Sequence, residues 1–401
     1  MNIITFIVHL FEYVLYAYFA FAAVYVLIFA IGSVFSGKNK TLVAKHIRKV
    51  AVLIPGYKED NVIVDVALEA LNQNYPNEKY DVIIIADSFQ PKTISKLKEL
   101  PIKLIEVSFD KSTKSKALNK AMAQLPNDYD IALILDADNV MASDFISKIN
   151  AAFDAGFEVV QGHRVAKNTN TPFAILDAVS EELNNSIFRK GHRALGLSSA
   201  LIGSGMAFDY QLFKKRMTEI HAIGGFDKEL ELTFLRDGYT IEYLNEALVY
   251  DEKVQKVEVF ENQRKRWLSA QFIYFGRFFF SGLKHLIVNA NIDFFDKVYQ
   301  MVSPPRVLLI GLTTIIAAFY TAFQLIFPEI TTCAISYTSW LSVWGSVVVA
   351  FILAIPKQFY NAQTFKALLT LPKAFISMFL SLFKLKGANK KFIHTVHGAE
   401  N

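Results

Sequence analysis

The chain has 401 residues, enough for one large domain with attached segments or for two domains. With 53% hydrophobic and 20% charged residues, it is too apolar for an ordinary soluble protein and too charged for a bundle of membrane spans alone. The net charge of +5 is small, and positive charge gathered beside apolar segments would indicate membrane topology rather than nucleic-acid binding. The single cysteine, Cys333, excludes an internal disulfide and a cysteine metal cluster.

Three apolar segments are long enough to cross a bilayer. Residues 1–35 carry one charged side chain, Glu12, and this run is too long for a signal peptide and has no basic start. The other two segments are residues 307–327 and 334–355. We therefore expect a transmembrane helix within residues 1–37 and a transmembrane hairpin within residues 303–356.

Basic residues gather at the ends of these segments that would lie on the same side of the membrane, and this bias predicts the orientation of the spans. Cytoplasmic ends of spans are enriched in lysine and arginine, so the N-terminus is expected outside and residues 38 to about 300 in the cytoplasm. We therefore predict an integral membrane protein, and we expect its membrane to be a bacterial inner membrane. The residues that carry the bias are Lys38, Lys40, Lys45, Arg48 and Lys49 after the first span, and Lys357, Lys366 and Lys373 after the third.

Short β-rich runs alternate with helix-like segments from Val50 onwards. This alternation predicts an α/β domain with a parallel sheet covered by helices on both faces. In such sheets, ligands bind at the carboxyl ends of the strands. The five runs are VAVLIP, YDVIIIAD, IKLIEVSF, DIALILDAD and FEVVQG.

Polar residues stand where several of these predicted strands end. Tyr57 and Glu59 follow the first strand, and Asp87 ends the second. Lys116 and Asn119 lie near the start of the helix after the third strand, where free backbone N–H groups favour anions. Their convergence on one edge of the sheet predicts a binding site.

Two carboxylates, Asp136 and Asp138, leave the fourth strand with one alanine between them. Their repulsion is relieved if both face a hard cation, Mg²⁺ or Mn²⁺, which keeps open positions for a diphosphate. The alternative is turn chemistry at Asp138 and Asn139 with Ser143 as a helix cap.

In this context the chain resembles the membrane-bound family-2 glycosyltransferases, the group of cellulose, chitin and hyaluronan synthases. The resemblance covers residues 50–270, so we predict a cytoplasmic catalytic domain over residues 38–270. Its last motif, Gln263-x-x-Arg266-Trp267, is the most specific. The motifs, in order, are VLIPGYKED, IIIADS, KSKALNKAM, LDADN, LIGSGMAF, GGFDKELELTFLRDGYTIEYLNEALVYDEK and QRKRW.

The resemblance implies a Rossmann-like nucleotide-sugar-binding domain of the GT-A type, built from two abutting halves. It also implies roles for the residues that match its motifs. Tyr57, Glu59 and Asp87 would recognise uridine, Lys116 would lie near the nucleotide, Asp136 would mark the nucleotide–sugar boundary, Asp138 would hold the metal, and Gln263, Arg266 and Trp267 would cover the diphosphate and frame the acceptor.

Plainer interpretations exist for several of these residues. Asp87 would simply end its strand, and Trp267 would anchor the chain at the membrane interface. Gly203 and Gly205 would be turn glycines, although Gly203-Ser204-Gly205 before an apolar strand would also let a substrate approach the backbone. His163 and His192 are assigned structural roles, and Arg264 and Lys265 are expected to face solvent or lipid.

The sequence departs from the family at its general base, which is the aspartate of a Glu-Asp pair. Aligning KELEL to that block places Lys228 where glutamate is expected and Glu229 where the aspartate is expected. Glu229 is therefore the first candidate for the base and Asp227 the second. The alternative is that Asp227, Glu229 and Glu231 decorate an exposed helical turn.

Apolar segments also flank the predicted catalytic domain. Residues 271–302 are aromatic-rich and interrupted by Arg277 and Lys284, which predicts interfacial amphipathic helices. Residues 357–401 predict a further interfacial helix and a basic cytoplasmic tail. Arg306 either helps a segment over the nucleotide or anchors in the lipid headgroups.

These predictions lead to three hypotheses for the function. The first is inverting transfer from a UDP-sugar to an acceptor hydroxyl in polysaccharide synthesis, with the bilayer as a partner and no nucleic acid. The second is addition of one sugar to a lipid-linked acceptor, because three spans form a thin wall for a polymer channel unless a homo-oligomer completes it. The third is a non-catalytic membrane scaffold with a degenerate transferase domain.

Overall fold

A computed structural model describes residues 3–37, 42–220, 222, 224–253, 257–329 and 333–383. The predicted basic residues Lys38 and Lys40 and the predicted tail beyond residue 383 lie outside the described residues. The strands are β1 (Val50–Tyr57), β2 (Tyr80–Asp87), β3 (Lys103–Val107), β4 (Ile131–Ile134), β5 (Val140–Met141), β6 (Val159–Ala166), β7 (Met206–Asp209) and β8 (Ile241–Asp251).

The helices lie around the sheet and at both ends of the chain. A π-helical segment, Asn185–Gly191, joins α6 to α7 without a break. The helices are α1 (Ile3–Phe35), α2 (Ile63–Ala70), α3 (Pro91–Lys98), α4 (Lys114–Gln124), α5 (Phe145–Asp154), α6 (Pro172–Asn184), α7 (His192–Ala194), α8 (Tyr210–Met217), α9 (Phe226–Arg236), α10 (Val257–Asn289), α11 (Ile292–Gln300), α12 (Arg306–Ile326), α13 (Tyr337–Ala354), α14 (Ala362–Leu368) and α15 (Leu371–Leu382).

All eight strands form one sheet in the order β3-β2-β1-β4-β7-β6-β8-β5. Strands β3, β2, β1 and β4 are parallel, as their alternation with helices predicts. Strand β7 is antiparallel to both β4 and β6, so the expectation of a wholly parallel sheet is wrong. The alternation of strand-like and helix-like segments in the sequence extends only to residue 162. Strand β7 joins the sheet after the long helical segment α6–α7.

Alternate residues of the central strands fill two separate cores, one on each face of the sheet. Leu53 and Ile83 belong to the core that also contains residues of α4, α8 and α9. Val52 and Ile84 face the opposite core, with α2 and α5. This period of two is what a strand buried on both faces requires. The packing fixes the strand register and therefore the position of the residues that follow each strand.

Helices α1, α12 and α13 are long and apolar enough to cross a membrane, in agreement with the three predicted spans. They pack into a third core that also contains Ile175 and Ile187 of the α6–π segment. Glu12 accepts hydrogen bonds from the Tyr320 hydroxyl and, at 2.8 Å, from the backbone N–H of Ala334. The one charged residue in the N-terminal apolar run thus has partners within the bundle.

Two helical features bear on the predicted domain limits. Helix α10 runs unbroken through the boundary predicted between residues 270 and 271. Helices α14 and α15 lie where a C-terminal interfacial helix is predicted, and they pass the length and hydropathy test for a span only as a pair bent by 43°.

Candidate active site

A cavity of about 470 Å³ opens at the carboxyl ends of β1, β2 and β4 and reaches helices α10, α12 and α15. It brings together most of the residues singled out from the sequence. Those that line it are Tyr57, Glu59, Asp87, Asp136, Asp138, Asp227, Gln263, Arg266 and Trp267, whereas Lys116, Asn119, Gly203, Ser204, Gly205 and Glu229 are not among its lining residues.

Tyr57 and Asp87 lie side by side because they are register partners at the ends of β1 and β2. The residue after each strand, Lys58 or Ser88, has a positive φ (56° and 60°), so the backbone turns sharply at the end of both strands. Asp87 is only 2% exposed, and its carboxylate accepts a 2.9 Å hydrogen bond from the Ser88 hydroxyl. The carboxylate is therefore held at the cavity wall.

The Asp136–Asp138 turn is held by hydrogen bonds from behind the cavity. The backbone N–H of Asp136 donates to the Ser204 hydroxyl at 2.9 Å, and that hydroxyl donates to Asn139 at 2.5 Å. The Asn139 amide in turn donates to Asp138 at 3.2 Å and to Asp251 at 3.0 Å. Ser204 thus supports the two carboxylates without lining the cavity.

These two carboxylates fit a divalent cation that shares its coordination with a ligand. Asp136 and Asp138 line the same cavity, and carboxylate oxygens suit Mg²⁺ and Mn²⁺. Within the described residues, no group of three His, Cys, Asp or Glu side chains is arranged to hold a metal ion alone. The donor set would therefore leave several coordination positions for phosphate oxygens and water.

Lys114, rather than Lys116, brings a cation to this edge of the sheet. The Lys114 ammonium donates to Asp136 and, at 2.7 Å, to the carbonyl oxygen of Gly203. Lys116 is exposed and donates to the carbonyl oxygen of Lys111 at 2.8 Å. Two residues along a helix correspond to about 200° of rotation, so only one of the two lysines can face the cavity.

Glycines allow the close approach of chains beside the carboxylates. Gly203 has φ +85°, and a Cβ atom there would lie 3.8 Å from Cγ of Asp227. Gly205 has φ +62°, and a Cβ atom there would lie 3.0 Å from Cγ2 of Val249. Both conformations are ones that side chains disfavour. The GSG sequence therefore shapes the wall against which Asp227 packs.

Asp227 and Glu229 face different environments in the first turns of α9. Asp227 lines the cavity, and burial raises the pKa of its carboxyl above the ordinary value, against the opposing effect of the Lys228 cation. Glu229, the first candidate for the base, forms an ion pair with Arg277. Glu229 and Glu231 are 2% and 0% exposed, so the alternative of an exposed turn is wrong.

Helix α10 presents Gln263, Arg266 and Trp267 to the cavity. Their i, i+3, i+4 spacing places all three on one face of the helix. Trp267 is 42% exposed, which leaves part of its ring open to a ligand. Arg264 was expected to face solvent or lipid, but it is buried, pairs with Asp177 at 2.5 Å and lies 4.5 Å from the centre of the Trp267 ring.

Comparison with known proteins identifies the family. Residues 48–270, more than half of the chain, match the family model described as glycosyltransferase like family 2. The chain belongs to this family of glycosyltransferases.

Two relatives illustrate the range of the family. The glycosyltransferase is 29% identical over 232 residues to the beta-monoglucosyldiacylglycerol synthase of Trichormus variabilis, a match covering 54% of this chain and 48% of that protein. It is 24% identical over 242 residues to an N-acetylglucosaminyltransferase of Rhizobium meliloti, covering 56% and 55%. The chain thus spans about half the length of these relatives.

A solved structure supports the same fold. The mannosyltransferase of Pyrobaculum calidifontis, determined in complex with GDP-mannose and Mn²⁺, matches with a TM-score of 0.55 at 15% identity. The match covers 86% of this chain and 98% of that one. The glycosyltransferase therefore has the expected GT-A fold, with the mixed sheet described above.

Along one wall of the cavity, the glycosyltransferase carries a network of charges that the sequence motifs do not reveal. Glu181 pairs with Arg164 at 2.8 Å and with Arg189 at 3.1 Å, and Asp251 pairs with Lys253 at 2.7 Å. Burial alone would raise the pKa of Glu181, but Arg164 and Lys253 hold it well below its usual range. These groups come from β6, α6, the π-helical segment and the end of β8 with the residues after it, so only the tertiary structure brings them together.

Proposed function

We propose that this glycosyltransferase moves a sugar from a UDP-sugar to an acceptor hydroxyl at the cytoplasmic surface of a membrane. The observation that carries the proposal is the meeting of Asp136, Asp138, Asp227 and Arg266 in one cavity. Such a transfer needs two acids that can hold a metal cation, a third acid that can accept a proton, and a cation that can bind phosphate. Asp136 and Asp138, Asp227 and Arg266 are proposed to fill these roles in turn.

The proposed donor pocket is the part of the cavity at the ends of β1 and β2. The buried Asp87 carboxylate is a hydrogen-bond acceptor, which suits the imide N–H of uracil, and Tyr57 and Glu59 lie beside it to complete nucleoside recognition. Lys114 replaces Lys116 in the proposal as the lysine nearest the nucleotide, because it lies against Asp136.

The diphosphate is proposed to lie between Asp136–Asp138 and the α10 side chains Gln263 and Arg266. A Mg²⁺ or Mn²⁺ ion held by Asp138, with Asp136 beside it, would offset the charge of the leaving group. Arg266 is a permanently charged, forked donor and would neutralise the remainder. The open part of the Trp267 ring would frame the acceptor sugar or headgroup.

In the proposed reaction, Asp227 accepts the proton of the acceptor hydroxyl as its oxygen attacks the anomeric carbon. The bond from that carbon to the diphosphate oxygen breaks on the opposite face, so UDP leaves and the anomeric configuration inverts. Asp227 is preferred to Glu229 because it lines the cavity, whereas Glu229 is buried against Arg277.

The proposed acceptor is a growing polysaccharide, with α1, α12 and α13 holding the catalytic domain at the inner face of the membrane and the N-terminus outside. A lipid acceptor is the second candidate. It is favoured by the cavity's contact with Arg306 of α12 and Met378 of α15, and by a relative named as a glucosyldiacylglycerol synthase.

Turnover by the purified full chain in nanodiscs tests the proposal. A panel of UDP- and GDP-sugars would be supplied with Mg²⁺ or Mn²⁺, nucleotide release would be followed, and products would be sized. Release of UDP with a high-mass product supports the first acceptor, and a lipid carrying one sugar supports the second. Transfer from GDP-sugars alone, or equal turnover by the wild type and by Asp138→Ala, would refute the donor or metal assignment.

A further inference from the structure

Arg306 stands out in the cavity because no acid in the described part of the chain forms an ion pair with it. Its guanidinium lies 5.5 Å from the centre of the Phe188 ring, and its Nε atom is buried with no hydrogen-bond partner among the described residues. The Arg306 side chain is half-buried. A guanidinium stays charged at any physiological pH, and even partial withdrawal of a charge from water is unfavourable unless the charge is paired. The position therefore suits an anionic ligand.

The nearest acids are already occupied by other arginines. Arg306 lies near Glu181 and Asp177, but Glu181 pairs with Arg189 at 3.1 Å and Asp177 pairs with Arg264 at 2.5 Å. This end of the cavity, which we call the membrane-side lobe, holds five cations (Arg164, Arg189, Lys253, Arg264 and Arg306) and three acids (Asp177, Glu181 and Asp251). The cations outnumber the acids, which favours a ligand with negative charge.

The walls of the lobe indicate where such a ligand enters. Leu268 of α10, Leu308 of α12 and Met378 of α15 form a small apolar cluster of their own, separate from the three large cores. Leu268 and Met378 also line the cavity. An apolar wall beside an unpaired cation matches a molecule with a phosphate at one end and hydrocarbon at the other.

We propose that Arg306 binds a phosphate group in the membrane-side lobe. A phosphate-bearing lipid, as acceptor or as bound cofactor of the site, is one source, and the diphosphate of the donor is the other. Arginine suits both, because its forked donors match phosphate oxygens. Only the idea that the lipid is the sugar acceptor rests on the proposed function. The phosphate site itself is tested by binding, without sugar transfer.

The test uses the purified full chain in an uncharged maltoside detergent. Binding of a short-chain phosphatidic acid is compared with that of the diacylglycerol with the same chains, and UDP binding with Mn²⁺ is measured in parallel. The variants are Arg306→Gln, Arg306→Lys as a conservative change, and Lys284→Gln as a control that removes an exposed charge from α10 outside the cavity.

We expect Arg306→Gln to weaken phosphatidic acid binding by at least about tenfold, Arg306→Lys to weaken it less, and Lys284→Gln to leave it unchanged. Loss of UDP affinity with unchanged lipid binding would instead assign the phosphate to the donor. Unchanged affinities for both ligands in a folded Arg306→Gln variant would overturn the inference. Absence of sugar transfer by the wild type would refute the proposed function but leave this result intact.

Discussion

The Lys228 ammonium donates a hydrogen bond to the Glu231 carboxylate at 2.8 Å, within the first turns of α9. It also donates to the carbonyl oxygen of Leu201 at 2.9 Å, and Glu231 is fully buried. Lys228 is the residue that stands where the sequence resemblance predicts a glutamate. Its side chain is fixed on the wall of the cavity next to Asp227, so the departure places a cation beside the proposed base.

Replacing Lys228 is expected to change the pH dependence of turnover. Burial raises the pKa of Asp227 and the Lys228 cation lowers it, so Lys228→Met should raise that pKa further. A base works only when ionised, and the acidic limb of the pH–rate profile should therefore move to higher pH. The rate at low pH should fall more than the rate at high pH.

Lys228→Arg, which keeps the charge, should restore the original acidic limb. Thermal unfolding of each variant controls for the loss of the Glu231 partner. A Lys228→Met enzyme with an unshifted profile would show that Lys228 does not act on the base.

Asp227→Asn and Glu229→Gln form a matched pair that separates the two candidates for the base. Asp227→Asn should lower kcat by about 10²- to 10⁴-fold while UDP binding is kept, because a general base contributes a factor of that size. Glu229→Gln should keep kcat within a few-fold, because Glu229 is buried against Arg277 and can still accept a hydrogen bond as glutamine. An inactive Glu229→Gln variant beside an active Asp227→Asn variant would reverse the assignment.

Metal removal should weaken nucleotide binding in a way that depends on Asp138. Chelation should lower the affinity of the wild type for UDP by at least about tenfold, since a cation held by Asp138 would offset the charge of the diphosphate. Asp138→Asn should bind UDP weakly with or without Mn²⁺. The control, Asp144→Asn, removes a partly exposed acid that pairs with Lys148, and it should respond to Mn²⁺ as the wild type does. Metal-independent binding by the wild type would contradict the prediction.

Gly311 of α12 is expected to be necessary for the docking of α15. The Phe375 ring packs directly on Gly311 and leaves no room for a Cβ atom there. Overpacking typically costs about 1–3 kcal/mol, so Gly311→Leu should lower the hydrogen-exchange protection of the α15 amides by roughly tenfold to a hundredfold.

Gly345→Leu is the matched control on α13, because a Cβ atom there meets nothing within 4 Å. Phe375→Ala, combined with Gly311→Leu, should recover most of the protection that the single Gly311→Leu variant loses. Equal protection of α15 in Gly311→Leu and Gly345→Leu would contradict the packing argument.

Local pattern was sufficient to predict the edge of the sheet where the cavity lies. Tyr57 and Asp87 end buried strands that pair in parallel, so their proximity follows once the strands are recognised. Glu229 and Lys116 do not line the cavity, whereas Asp227 and Lys114 do, because a shift of two residues on a helix turns a side chain to another face. The face of a helix that a given side chain occupies depends on packing with distant residues, which the local sequence does not reveal.

Long-range partners explain the remaining differences. Arg264 is buried because Asp177, 87 positions earlier in the chain, lies within hydrogen-bond distance of it. Strand β7 is antiparallel to β4 because the chain re-enters the sheet after α6–α7 in the opposite direction. Neither feature has a short sequence pattern, since each depends on elements that meet only after folding.

Helix α10 lines the cavity with residues between Gln263 and Gln271 and ends among exposed apolar residues such as Phe280, Ile287 and Val288. Its 33 residues form a single rod of about 50 Å. If its far end rests in lipid, the thickness and tension of the surrounding leaflet set the tilt of that rod. Lipid composition would then tune the turnover of the enzyme mechanically, without any effector binding to the catalytic domain.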